Sequence, residues 1–300
     1  MVPSGSTYCG RFAPSPTGPL HLGSLIAALA SYLDARHHRG LWLVRMEDLD
    51  PPREEPGAAA RILDSLRAHA LHWDGELMYQ GDRADAYAAA LQTLIGAGHA
   101  FRCDCTRSTL GPHGACAGHC RRRQDDIEAP ASWRLQVPEG YTVDFADALQ
   151  GAQHSELAIA FPDFVVKRKD GLDAYQLAVV VDDCAQGVTH IVRGADLLDS
   201  TARQVCLQDL LGCPRPSYCH LPLITNRDGR KLSKQNQAPA LDDYGAADNL
   251  RLALRFLGQE TPPQEMCTAQ AIIDFATHHW QLGRVPARLA IPAASLGLPG

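Results

Sequence analysis

The chain has 300 residues, of which 45% are hydrophobic and 21% charged, and its formal net charge is −6. That length can bury a substantial core as one large domain or two modest ones. The acidic balance argues against a generic nucleic-acid coat, so any RNA would meet a local basic patch such as 121–123 or 167–169. Apolar runs such as 177–181 are too short to cross a bilayer, and residues 1–6 do not resemble a secretion signal. We expect a globular enzyme in the cytoplasm with no membrane partner.

The first hundred residues alternate between predicted strands and helices. A short strand at 8–12 leads through a Pro- and Gly-rich loop into an Ala- and Leu-rich helix at 21–35. An apolar strand follows at 41–46, and further helices are predicted at 56–70 and 83–96. This strand-helix-strand pattern indicates an α/β fold in which helices pack on a parallel sheet.

The character of the chain changes between residues 101 and 162. Cysteines cluster there, arginines run together, and a short strand is predicted at 133–137. We interpret this stretch as an insertion. Alternation then resumes with a strand at 164–169, a helix from Ala174 and a strand at 190–193, which we expect to complete the sheet.

The last part of the chain is predicted to be helical. Apolar residues recur over 250–256, a helix is predicted at 269–279, and a tail rich in Pro, Leu and Gly follows. The expected organisation is a first half of the α/β domain at 1–100, the insertion at 101–162, a second half at 163–240 and a helical region at 241–300.

Four of the ten cysteines form two close pairs joined by a Gly-containing loop. They are Cys103, Cys105, Cys116 and Cys120. Four thiolates can complete a tetrahedral zinc shell, and a closed shell of that kind is structural and not catalytic. The one-residue gap in the first pair is tighter than usual zinc-finger spacing, so His113 and His119 stay open as ligands, as do free thiols or a redox pair. Disulfides are not expected in a chain of this size without an export signal.

Two distant segments have the residues that an adenylate-forming site requires. In 14–24, Gly23 would let the backbone approach a nucleotide, and His21 at a helix start can donate to phosphate. The basic loop 226–235 begins with a turn-forming Asp-Gly pair and could close over a triphosphate. Its candidate phosphate contacts are Lys231, Ser233 and Lys234. Alone, each segment would more often be a capped helix or a solvated charge run, but together they indicate activation of a carboxylate by ATP.

These motifs resemble those of class I glutamyl-tRNA synthetases. The segments that carry the resemblance are 11–18, 21–24, 45–50, 175–183, 189–196 and 231–235. The resemblance covers about residues 8–240 and implies a Rossmann-like catalytic domain that uses ATP with Mg²⁺ as substrate. It implies that the catalytic residues are His21, Lys231 and Lys234, and that ATP is bound by His21, Gly23, Ser233 and Lys234.

A glutamate substrate has two carboxylates and an ammonium group, so its pocket should offer guanidinium groups and a carboxylate. Arg11, Arg193 and Glu47 provide that set. The resemblance implies a glutamate site formed by Arg11, Phe12, Ala13, Pro14, Ser15, Glu47, Tyr175 and Arg193. Without the family, the two arginines would more often be exposed and Tyr175 would be a half-buried helix residue.

About 66 residues follow Lys234, from which we expect a few helices and no separate anticodon-reading domain. A core of this kind with a cysteine insertion resembles the glutamyl-queuosine tRNA(Asp) synthetase family. That resemblance implies activation of L-glutamate without tRNA and its transfer to the queuosine base of tRNA(Asp). It also implies a structural zinc site in which Cys116 takes the place of a tyrosine ligand usual in the family.

Two alternatives stay open from the sequence. An ordinary glutamyl-tRNA synthetase would charge the 3′ end of the tRNA, and a noncatalytic zinc-containing paralogue would only bind RNA. Damaged motifs would mark the paralogue, whereas His21, Glu47, Arg193 and Lys234 are all present. The oligomeric state is not determined by the sequence, and a monomer is the simplest expectation.

Overall fold

The computed structural model describes residues 8–116, 118–127, 130–226, 229–231 and 239–296. The strands in these ranges are β1 Cys9–Phe12, β2 Leu41–Met46, β3 Met78–Tyr79, β4 Ala100–Cys103, β5 Ser132–Gln136, β6 Val143–Asp147, β7 Gly151–Ser155, β8 Asp163–Lys167, β9 His190–Gly194, β10 Ser217–Leu221, β11 Leu223–Thr225 and β12 Ala290–Pro292. The helices are α1 Leu22–His37, α2 Ala58–Ala68, α3 Ala84–Gly96, α4 Leu157–Ala160, α5 Tyr175–Ala185, α6 Leu198–Leu211, α7 Ala246–Phe256 and α8 Ala269–His279.

The first parallel sheet has the order β1-β2-β3, and α1 connects β1 to β2. Every residue of β1 is buried, as expected of a parallel strand covered on both faces. The β1 strand pairs in parallel with β2 from Cys9 opposite Leu41 to Phe12 opposite Val44. The carboxyl ends of these strands therefore lie at one edge of the sheet, next to the amino end of α1.

The second sheet has the order β7-β6-β10-β9, in which β6, β10 and β9 are parallel and β7 is antiparallel. The two sheets meet between β1 and β9, where the Thr189 N–H donates to the Cys9 carbonyl at 2.9 Å. The predicted α/β fold with a parallel sheet is confirmed. The expectation that the strand at 190–193 completes the sheet is wrong, because β10 and β6 extend it beyond β9.

The segment 101–162 contributes to two different layers. Its strand β5 lies between β4 and β8 in an antiparallel sheet. Of the four paired cysteines, Cys103 ends β4, and the other three lie in the chain between β4 and β5. Its strand β6 instead joins the parallel sheet, with Asp147 opposite Tyr218 of β10. Part of the predicted insertion therefore lies against the strands that carry the candidate site.

The C-terminal helices share a hydrophobic core with α1. Leu254 of α7, Ile272 of α8 and Trp280 lie in the same buried cluster as Leu29 and Leu33 of α1. The Trp280 Nε1–H donates to Asp34 Oδ1 at 2.9 Å. No helix in the described ranges is both long and apolar enough to span a membrane.

Candidate active site

A cavity of about 1030 Å³ lies at the carboxyl ends of β1, β2 and β9, beside the start of α1. Its walls include side chains from both halves of the sequence, among them Arg11, Phe12, Ala13, Pro14, Ser15, His21, Gly23, Glu47, Tyr175, Arg193 and Lys231. The structure thus brings every residue predicted to bind glutamate to one cavity with His21, Gly23 and Lys231 of the two nucleotide motifs. Ser233 and Lys234 lie outside the described residues.

Arg11 is held by a carboxylate that the sequence analysis did not single out. Its Nε donates to Asp183 Oδ1 at 3.1 Å, and both side chains are almost fully buried. The Arg45 Nη2 lies 2.8 Å from the same Asp183 oxygen. Burial alone would raise the pKa of the Asp183 carboxyl, but the Arg11 and Arg45 guanidinium groups outweigh it and the pKa is lowered. Arg11 therefore reaches the cavity with part of its hydrogen-bonding capacity already used.

Glu47 presents a carboxylate that the surrounding protein only partly satisfies. It follows β2, and its backbone N–H donates to the Pro14 carbonyl at 2.9 Å. Its Oε1 is buried without a hydrogen-bond partner among the described residues, although Arg45 Nη2 lies 3.5 Å away. Burial raises the pKa of the Glu47 carboxyl, against the opposing effect of Arg45 and Arg11. A cationic ligand group in the cavity would supply the missing interaction.

Arg193 of β9 is 4% exposed and is held on one side by three protein groups. Its Nε donates to His220 Nε2 at 3.0 Å, and its Nη2 donates to Thr201 Oγ1 at 2.9 Å and to the Leu197 carbonyl at 3.3 Å. Its Nη1 is buried and has no hydrogen-bond partner within the described ranges. Arg193 therefore has a donor left for an anionic group in the cavity.

Tyr175 begins α5, and its phenol lies in the wall of the same cavity. Burial and then the Glu47 carboxylate raise the pKa of Tyr175, against the effect of Arg193 and Arg11. The phenol therefore keeps its proton near neutral pH and can act as a hydrogen-bond donor to a ligand oxygen.

The residues predicted to contact phosphate that the structure describes also line this cavity. His21 is the N-cap of α1, and its Nδ1 accepts from the Ser24 N–H at 3.3 Å. A Cβ at Gly23 would lie 3.1 Å from the His21 ring and 3.4 Å from Ile224, so glycine lets these groups pack closely. The Lys231 Nζ donates to Asp196 Oδ2 at 2.5 Å, and both side chains are partly exposed.

Four thiols converge outside this cavity. The Sγ atoms of Cys103, Cys105, Cys116 and Cys120 all lie within 4.8 Å of one another, and three of the four residues are buried. A tetrahedral zinc shell with Zn–S bonds of about 2.3 Å has sulfur atoms about 3.8 Å apart. The Cys105 Sγ lies 3.9 Å from Cys116 Sγ and 3.4 Å from Cys120 Sγ. The donor set and its spacing can therefore hold a tetrahedral metal ion.

The two histidines considered as alternative ligands differ in position. The His119 Nδ1 lies 4.0 Å from Cys120 Sγ, whereas the His113 ring packs against Phe161 with centroids 5.4 Å apart. Among the described residues, the group of side chains that could hold one metal ion consists of the four cysteines and includes neither histidine. The geometry therefore favours four thiolates as the ligand set.

The sequence analysis did not identify Asp147, Thr201 and His220, although Thr201 and His220 contact Arg193 and Asp147 contacts His220. Thr201 and His220 belong to α6 and β10, which were not predicted, and Asp147 belongs to the segment interpreted as an insertion. His220 could have been noticed as a polar residue among the apolar neighbours of segment 218–221.

Comparison with known proteins places this site in a family. Residues 9–281 match the family described as tRNA synthetases class I (E and Q), catalytic domain. The chain is 51% identical to the glutamyl-Q tRNA(Asp) synthetase of Pseudomonas fluorescens, over 98% of each chain. It is also 51% identical to the protein of that name from Chromobacterium violaceum, over 95% of this chain and 97% of the relative.

A solved structure gives the fold independently. The glutamate tRNA ligase of Elizabethkingia meningosepticum, crystallised with its amino acid, matches with a TM-score of 0.78 at 23% identity. The match covers 96% of this chain and 68% of that chain, and it establishes the class I catalytic fold. The chain therefore belongs to the class I tRNA synthetase (E and Q) family, in the group of glutamyl-Q tRNA(Asp) synthetases.

Proposed function

We propose that this protein activates L-glutamate with ATP in the absence of tRNA and transfers the glutamyl group to the queuosine base of tRNA(Asp). One observation carries the glutamate step. The same cavity contains a buried carboxylate oxygen of Glu47 and a buried guanidinium nitrogen of Arg193, neither of which is hydrogen-bonded within the described residues. An amino acid with an ammonium group and carboxylates supplies the opposite charge to both.

The roles of the side chains follow from their charges. Glu47 would bind the ammonium group, while Arg193 and the phenol of Tyr175 would bind carboxylate oxygens. Arg11 would add positive charge from its position beside Asp183. These contacts would hold the reacting carboxylate against the ATP α-phosphate, where in-line attack forms glutamyl-adenylate and releases pyrophosphate.

The nucleotide would lie against the start of α1. His21 and Gly23 are placed there, and a helix amino terminus favours anions. Lys231, with Ser233 and Lys234 of the same sequence motif, would stabilise the negative charge that develops on the departing pyrophosphate. Mg²⁺ would enter with ATP as part of the substrate.

The four cysteines would hold a structural Zn²⁺. A shell of four thiolates leaves no open coordination position for a substrate, so the ion would stabilise the segment between β4 and β5 and take no part in adenylation. Since its proposed substrate is a tRNA, we infer that the protein acts in the cytoplasm.

Pyrophosphate exchange tests the first half of the proposal. We expect glutamate-dependent exchange of pyrophosphate into ATP without tRNA, and none with aspartate or glutamine at equal concentration. Absence of exchange with glutamate, with or without tRNA, would contradict the proposal and favour the noncatalytic RNA-binding paralogue.

Glutamate transfer tests the second half. We expect labelled glutamate to become attached to tRNA(Asp) that carries queuosine, and not to an unmodified tRNA(Asp) transcript or to tRNA(Glu). Equal labelling of tRNA(Glu) at its 3′ end would instead identify an ordinary glutamyl-tRNA synthetase.

A further inference from the structure

The guanidinium group of Arg193 is fixed by two buried side chains, His220 and behind it Asp147. The Nε–H of Arg193 donates to His220 Nε2 at 3.0 Å, and His220 Nδ1 lies 2.6 Å from Asp147 Oδ2. The side chains of His220 and Asp147 have no exposed surface. In a buried site such hydrogen bonds restrict orientation strongly, because no water replaces a partner that is lost.

The partners of His220 determine where its proton lies. A guanidinium group can only donate, so His220 Nε2 must be the acceptor, and the Asp147 carboxylate must accept from Nδ1–H. Burial lowers the pKa of His220, against the effect of Asp147. The imidazole is therefore neutral, with one defined tautomer.

Asp147 is itself held rigidly at the end of β6. Its Oδ1 accepts backbone N–H groups of Leu149 at 3.0 Å, Gln150 at 2.9 Å and His220 at 3.2 Å, which leaves Oδ2 for the imidazole. Burial alone would raise the pKa of Asp147, but the hydrogen bonds from His220 and these amides outweigh it and lower the pKa. The carboxylate is therefore charged and cannot rotate without losing several bonds.

We propose that Asp147 and His220 are positioning residues for glutamate activation, which set the His220 tautomer so that Arg193 offers Nη1 to a glutamate carboxylate. The inference rests on the proposed function. It also assigns a role to β6: this strand comes from the segment between the two halves of the α/β domain, and it supplies the group that aligns the amino-acid site.

The substitution Asp147→Asn tests the inference without a large change in shape. The three backbone N–H groups that donate to Asp147 Oδ1 would donate to the amide oxygen of the new side chain. Its NH₂ group would therefore face His220 Nδ1. The imidazole proton would then move to Nε2 and oppose the Nε–H of Arg193. We expect the KM for glutamate in pyrophosphate exchange to rise about ten-fold or more, with the KM for ATP unchanged.

Asp144→Asn is the matched control. Asp144 lies on the same strand and pairs with His154 at 2.8 Å, but both side chains of that pair are exposed. We expect wild-type KM values for this variant. A folded Asp147→Asn variant with the wild-type KM for glutamate would overturn the inference.

Histidine ¹⁵N chemical shifts provide a readout that does not depend on turnover. We expect the His220 proton on Nδ1 in the wild type and on Nε2 in Asp147→Asn, with the signal assigned by its loss in His220→Gln. A proton that stays on Nδ1 in Asp147→Asn would overturn the inference. If the wild type lacks exchange with glutamate, the proposed function fails, and these shifts still decide whether Asp147 sets the tautomer.

A second pair of variants covers the case in which Asp147→Asn does not fold. The Gln side chain in His220→Gln can turn its amide oxygen toward Arg193, whereas His220→Leu removes the acceptor and leaves Asp147 bonded to its three amides. We expect His220→Leu to have a KM for glutamate about ten-fold above that of His220→Gln. Equal KM values in these two variants would contradict the positioning role.

Discussion

Glu47 is proposed to bind the ammonium group of glutamate, and the burial of its charge lowers the free energy of unfolding. Its carboxylate is buried, and its Oε1 has no hydrogen-bond partner in the described part of the chain. Burial raises the pKa of this carboxyl. We expect Glu47→Gln to raise the KM for glutamate by about ten- to a hundred-fold, since a neutral amide cannot balance an ammonium group. The free energy of unfolding should stay the same or increase, because burying the Glu47 charge costs more than its attraction to Arg45 and Arg11 returns. Pyrophosphate exchange and urea unfolding measure the two effects.

Glu55→Gln is the control for this prediction, because Glu55 pairs with Arg61 on the surface. It should change neither quantity appreciably. A loss of stability in Glu47→Gln as large as its loss of affinity would show that the carboxylate mainly supports the fold.

His220 gives a prediction for the pH dependence of stability. Burial holds its pKa below the usual value, so the unfolded chain binds a proton first as the pH falls below about 6.5. The stability contributed by the neutral imidazole is therefore complete above that pH and is lost as the pH falls toward the folded-state pKa. We expect this group to add a slope of up to about 1.4 kcal/mol per pH unit to the wild type.

Urea unfolding of the wild type and His220→Gln across this range measures that slope. The variant should depend less steeply on pH below about 6.5. Parallel curves for the two proteins would contradict a buried neutral imidazole.

At the scale of elements, the chain between β4 and β5 should depend for its stability on the thiol that ends β4 and the three thiols that follow it. Cys105→Ser, or a strong chelator, should remove stoichiometric zinc and expose this chain to proteolysis, since a structural metal contributes directly to folding. Metal analysis and limited proteolysis with mass spectrometry measure both effects. Cys267→Ser is the control, because Cys267 is an exposed thiol far along the sequence from the cluster. Full zinc content in Cys105→Ser would contradict a four-cysteine site.

The sequence predicted elements with a strong local pattern and missed those defined by distant partners. The strand at 41–46 and the helix at 269–279 have the predicted bounds, because apolar periodicity marks them locally. The strand β10 escaped prediction because its polar His220 is satisfied by Asp147, 73 positions earlier. The Arg11 pairing with Asp183 spans 172 positions. The motifs were enough to predict which residues line the cavity. The pairings that orient their side chains join residues far apart in the chain, so local sequence patterns do not predict them.

At the scale of the whole molecule, the C-terminal helices and the first strand are joined through one buried carboxylate. Asp34 of α1 accepts from Tyr8 Oη at 2.5 Å on one oxygen and from Trp280 Nε1 at 2.9 Å on the other. Tyr8 and Trp280 belong to the same hydrophobic cluster as buried residues of α7 and α8. The region at 241–300 should therefore unfold together with the α/β domain and not as a separate unit.

Substitution of Trp280 tests this coupling. Trp280→Phe keeps most of the apolar volume but leaves Asp34 Oδ1 without its donor, so we expect a loss of about 1–3 kcal/mol of stability. Trp280→Ala adds a cavity and should cost about 3–5 kcal/mol. Both should still unfold in one transition, seen alike by circular dichroism and by loss of pyrophosphate exchange in urea. Trp73→Phe, at a partly buried ring over which Arg67 lies, should cost less. If the helices of Trp280→Phe melt while exchange persists, the C-terminal region is an independent unit.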